Sequence, residues 1–201
     1  MHRAGRAKDR AVVERPPVTV FAILDSLPSA RLVRRVIDDP SLEVFNGIER
    51  SNAIMSACST LSRKQTPTVL LLDSETLEER MLVESQLEIG GILNRGCGNT
   101  PHRLVLAIPQ VDVILFSDRE GFERALGKKM SDLELFEARF RPRAVFRRLL
   151  GEGDFEEKAL AVINALDDAA LRRMARHPII REIRDFMAEV QPKRARVRRA
   201  G

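Results

Sequence analysis

Four carboxylates sit where a hard cation or a scissile phosphate would need them. Asp73 and Glu75 stand two residues apart at the end of Thr68-Val-Leu-Leu-Leu, a run without charge that follows Pro67. Asp25 ends a second uncharged run, Val18 to Leu24. Asp112 lies just beyond another strand-like run, Arg103 to Ile108, after the turn Pro109-Gln110. Carboxylate oxygens are the ligands that Mg²⁺ prefers, and it usually takes one or two from protein. A metal held this way can activate water and neutralise charge on a phosphate. The plainer alternative for Asp73 and Glu75 is helix capping, because an acid at a helix start satisfies free N–H groups and the positive end of the dipole.

Short uncharged runs bounded by turn signals read as strands buried on both faces, which is the pattern of a parallel sheet covered by helices. Strands are expected at 18–24, 42–45, 68–72 and 103–108. Helical spacing of apolar residues predicts helices over 29–38, 52–63, 78–93 and 111–126. Beyond residue 130 only helical patterns remain, over 132–140, 143–149, 156–165, 168–176 and 179–190. The expected fold is α/β: a mainly parallel sheet of about four strands flanked by helices, with an all-helical C-terminal third. In a parallel sheet all strand exits share one edge, and ligands of open α/β sheets bind there. Asp25, Asp73, Glu75 and Asp112 are thereby expected to converge.

The chain has 201 residues, enough for one domain with a full core and a helical appendage. Only 4% of residues are aromatic, all Phe, with no Trp or Tyr, so a stacking platform for single-stranded nucleic acid is not expected. Residues 1–15 carry five basic and two acidic side chains, and residues 192–201 carry five basic and none acidic. The net charge of +5 therefore resides in two tails, while the body from 16 to 191 is −3. Such tails read as disordered segments that draw in a polyanion. The two cysteines and three histidines show no metal-binding spacing. Cys97, between Gly96 and Gly98, follows a helix and precedes a strand, the reverse of a phosphate-cradling loop. No run is long enough to span a membrane and no secretory signal is visible, so a cytoplasmic protein is expected.

The convergence of acids at strand exits resembles the Toprim fold of topoisomerases, primases and OLD-family nucleases. Those proteins place a Glu after the first strand and Asp-x-Asp after the third. The closer likeness is to small stand-alone Toprim-like proteins found beside ATPases in bacterial defence loci, which carry an Ile-Pro-x-x-Glu segment, a helix and a helical tail. Here the corresponding text is Ile108-Pro109-Gln110-Val111-Asp112, and the tail is LDDAALRRMARHPIIREIRDFM. The likeness covers residues 18–190, as a Toprim-like body over 16–128 and a helical extension over 129–191. It implies Mg²⁺ or Mn²⁺ on Asp25, Asp73, Glu75 and Asp112, a metal-dependent nuclease acting on DNA or RNA, an ATPase partner and homo-oligomers. Asp25, Glu75 and Asp112 each differ from the family's acid by one methylene, so a catalytically inactive assembly or sensor subunit is implied as the alternative. A receiver-like signalling domain, with Asp73 as phosphoacceptor, is a third reading; it requires a lysine after a fifth strand.

Overall fold

The structure, a computed structural model, describes residues 18–191; the two basic tails expected at 1–15 and 192–201 lie outside the described residues. Four strands, β1 (Val20–Leu24), β2 (Leu42–Asn46), β3 (Thr68–Asp73) and β4 (His102–Ala107), form one sheet. All pairings are parallel and the order is β2-β1-β3-β4. This is the order of the first four strands of a flavodoxin-like doubly wound sheet. Crossover helices α1 (Leu27–Ile37), α2 (Arg50–Ser59) and α3 (Glu79–Gly96) connect them, and α2 continues as a π-helical turn over Thr60–Lys64.

Side chains alternate between the faces of a strand, and the two faces here are covered unequally. Val20, Ala22, Leu24, Val69, Leu71, Val105 and Ala107 face α1 and the C-terminal helices in the larger core. Ile23, Leu70, Leu72 and Leu104 face Ala53, Ala57 and Leu61 of α2 and its π turn, and Ile89 and Leu93 of α3. Every residue of β3 is buried, which is why its sequence carries no charge before Asp73.

The C-terminal third is helical throughout, as expected: α4 (Val113–Phe116), α5 (Arg119–Leu126), α6 (Asp132–Glu137), α7 (Pro142–Leu150), α8 (Phe155–Ala165), α9 (Asp168–Met174) and α10 (Pro178–Val190). The helix expected over 111–126 is two helices. The Ser117 hydroxyl turns back to donate to the Ile114 carbonyl, and Asp118 leaves helical geometry at φ −128°, ψ 82°. Phe122 from α5 then stacks edge-on with Phe116 and Phe146, fixing α7 beside the β4 exit. No helix among the described residues is long and apolar enough to cross a membrane.

Candidate functional site: an acid cluster closed by arginine

The sheet order creates a switch point. From β1 the chain crosses to β2 on one side; from β3 it crosses to β4 on the other. Loops diverge there and leave a crevice at the carboxyl ends of β1 and β3. Asp25 is the first residue after β1 and Asp73 is the last of β3, so both stand at that crevice. Asp112 approaches from the turn after β4, in which the Ile108–Pro109 peptide is cis.

Arg143, in the first turn of α7, reaches into this cluster. Its Nη2 lies 2.7 Å from Asp73 Oδ2 and 2.8 Å from Asp112 Oδ2. Its Nε also donates to Asp112 Oδ2, at 2.9 Å. The Arg143 backbone N–H donates to Gln110 Oε1, so main chain and side chain both grip the β4 exit. Asp73 Oδ1 accepts from the Val111 N–H at 2.7 Å. Arg50, the first residue of α2, donates to the Asp73 carbonyl oxygen at 2.6 Å. Asp73 is 1% and Asp112 4% exposed.

Burial at this depth disfavours charge, and all three acids respond alike. Burial pushes Asp73 up to about 7; Arg143 opposes this, and the nearby Asp25 and Asp112 carboxylates add to it. Burial likewise raises Asp25 and Asp112, against the pull of Arg143. For Arg143, burial works against the charge, but Asp112 and Asp73 outweigh it and hold the guanidinium firmly protonated. The ion pairs leave two loose ends. Asp25 Oδ1 is buried with no hydrogen-bond partner, and Asp73 Oδ2 meets Arg143 in charge contact without hydrogen-bond geometry.

Glu75 departs from the group. Its backbone takes a left-handed φ of 57° and its N–H donates to the Pro109 carbonyl at 2.9 Å. Its side chain is exposed and enters no ion pair or hydrogen bond among the described residues. Neither capping expectation describes this exit: α3 starts only at Glu79, after Glu78 as N-cap. Ser74 fastens the loop instead, its hydroxyl donating to the Thr76 carbonyl and lying 3.2 Å from that of Pro109.

Among the described residues no group of three His, Cys, Asp or Glu side chains is arranged to hold a metal ion. The position between Asp73 and Asp112 that Mg²⁺ or Mn²⁺ would take already has a guanidinium in contact with both acids. As arranged, these residues do not fit a divalent cation. Cys97 is equally unsuited to nucleophilic work: it is buried, and its Sγ contacts the Asn94 and Gly98 carbonyls.

Spacing pointed to the acids but not to their partner. One signal for Arg143 was present: a cation in the first turn of a helix opposes the macrodipole, and such a placement calls for a specific anion nearby. The chain matches no family model, no curated protein and no solved structure at a significant level.

Proposed function

We propose that this chain is a Toprim-like subunit whose switch-point acids serve assembly or sensing rather than catalysis. The observation that carries the reading is the Arg143 guanidinium bridging Asp73 and Asp112. It supplies internally the positive charge that a nuclease of this kind takes from metal, and it ties α7 to the sheet edge. A partner protein, an ATPase by the resemblance, would then meet a surface whose shape depends on that tie.

The metal-dependent nuclease is the second reading, and one observation favours it: Asp25 Oδ1 is a buried carboxylate oxygen without a hydrogen-bond partner. The strand order favours a receiver-like domain, but Asp73 as phosphoacceptor would be 1% exposed and already engaged by Arg143. The test is cleavage of labelled DNA and RNA with Mg²⁺ or Mn²⁺, by the wild type and by Asp73→Asn. The assembly reading expects no cleavage from either protein. Metal-dependent cleavage lost in Asp73→Asn would establish the nuclease instead.

A further inference from the structure

We infer that the outer face of α3 is a homodimer interface, with a second copy of this chain laid antiparallel across it. Exposed apolar surface gathers on this side of the sheet. Ile48, Met55, Leu77, Met81, Val83 and Leu87 are six of the twelve large apolar side chains exposed among the described residues. All six lie on α2, on α3 or in the loops that lead into them. Apolar surface gathered in this way marks an interaction site, whereas single scattered residues do not.

α3 has two opposed faces. Ile89 and Leu93 point into the smaller core, against the sheet. Successive helical residues are turned by about 100°, so Val83, Leu87, Gly90, Gly91 and Asn94 fall on the side away from the core. Val83 is 52% and Leu87 71% exposed. Two adjacent glycines in the body of an 18-residue helix weaken it, because glycine loses the most backbone freedom on folding. Nothing inside the fold calls for them. Neither has a positive φ. A Cβ on Gly90 would have no neighbour within 4 Å, and one on Gly91 would meet only the flexible tip of Arg95, 3.7 Å away. The pair leaves a notch that another chain can approach closely.

The pattern on this face is complementary to itself. Leu87 and Gly91 stand two positions either side of Ile89. Glu84 stands five positions before Ile89, and Arg95 six after it. A twofold axis at the level of Ile89, perpendicular to the helix, therefore sets Leu87 of each copy over the notch of the other. Glu84 and Arg95 lie along the same side of the face, so the axis also sets each copy's Glu84 opposite the other's Arg95. Glu84 has the exposed Arg80 2.9 Å away, and the Arg95 side chain enters no ion pair or hydrogen bond among the described residues. Arg80 falls beside the C-terminal end of the other α3, where a cation is favoured. Glu88 falls at the rim, where water and salt screen it. A foreign partner gives no reason for knob, notch, anion and cation to be spaced about one point, but an isologous dimer requires it. The inference does not rest on the role of the acid cluster: α7, which carries Arg143, packs in the larger core on the other side of the sheet.

The experiment is sedimentation equilibrium of the full chain in a concentration series reaching about 100 µM. Wild type should reach a mass twice 22.7 kDa, with a dissociation constant of about 10 µM or tighter. Leu87→Arg should weaken the dimer at least about thirtyfold, as expected of a central contact. Glu84→Arg should weaken it too, and Glu84→Arg/Arg95→Glu should restore it. Gly90→Ala/Gly91→Ala should weaken the dimer about tenfold by filling the notch. The same glycine changes in the monomeric Leu87→Arg background should raise the melting temperature by several degrees, because alanine is the better helix former. Leu133→Arg, at the most exposed apolar residue of α6, should stay within about twofold of wild type. The proposal is overturned if wild type stays monomeric at about 100 µM. It is also overturned if Leu87→Arg associates like wild type, if Leu133→Arg dissociates as readily, or if the charge swap is no tighter than Glu84→Arg alone.

Discussion

Arg143 Nη2 sits 2.7 Å from Asp73 Oδ2, joining the start of α7 to the end of the central strand across seventy positions of sequence. The pair is buried on the acid's side and only a quarter exposed on the arginine's. Removing one member of a buried pair strands the other, which typically costs about 3–5 kcal/mol. Arg143→Gln should therefore lower the unfolding free energy by about 3 kcal/mol in urea titration at neutral pH. Arg143→Lys should recover only part of this, because a lysine lacks the planar fork that contacts Asp73 and Asp112 together. Wild-type stability in Arg143→Gln would show that the bridge contributes nothing to the fold.

The pH dependence should run opposite to that of an ordinary acid. Burial, with help from Asp25 and Asp112, raises Asp73 to about 7 in the folded chain. The unfolded value is about 3.9, so between these limits the folded state holds more protons. Stability must then fall as pH rises through this window and reach its low plateau above about 7. The limit for one group is about 1.4 kcal/mol per pH unit. Asp25 and Asp112 are raised as well and add in the same direction. Melting temperature should thus be higher near pH 5.5 than near pH 8, by the full linkage argument. Asp73→Asn should flatten the profile; a profile as steep as wild type would remove Asp73 as its source.

Much of this arrangement was legible in the chain, and the limits were physical. The uncharged runs ending in Asp25 and Asp73 marked strands buried on both faces, because a doubly covered strand has no side on which to put a charge. The run of acids at strand exits also marked the edge where three of them gather. Strand order was not legible, since no local pattern states which side of β1 a crossover returns to. Glu75 read as a partner of Asp73 through their spacing, but its own left-handed backbone turns the chain there and its side chain is exposed. Arg143 was invisible to spacing because its partners lie thirty-one and seventy positions away.

Gly121 holds the C-terminal helices at a distance that no larger residue allows. A Cβ there would stand 2.1 Å from Asp118 Oδ2 and 2.5 Å from Ala170 Cβ. Relief of the first contact disturbs the 2.8 Å ion pair of Asp118 with Arg173, and relief of the second pushes α9 away from α5. Overpacking of this kind costs about 1–3 kcal/mol. The better helix propensity of alanine, about 1 kcal/mol, offsets only part. Gly121→Ala should melt several degrees below wild type. A melting point equal to or above wild type would show that α5 and α9 can separate freely.

If Arg143 stands where a metal ion would, its removal should create a metal requirement that wild type lacks. In the wild type a guanidinium already contacts Asp73 and Asp112, and Mn²⁺ at millimolar concentration should leave the melting temperature unchanged. Arg143→Ala removes the guanidinium that contacts Asp73 and Asp112 and clears its space beside the unpartnered Asp25 oxygen, while Arg50 stays on the Asp73 carbonyl oxygen. Hard cations favour such oxygens. A cation that binds only the folded state stabilises it by about 2.7 kcal/mol at a hundred times its dissociation constant. Mn²⁺ should therefore raise the melting temperature of Arg143→Ala and restore part of the lost stability. The gain should vanish in Asp73→Asn/Arg143→Ala, which separates binding at this cluster from binding at surface carboxylates. Mn²⁺ that stabilises wild type as much as Arg143→Ala would mean that the arginine does not exclude metal, and the nuclease reading would then take precedence.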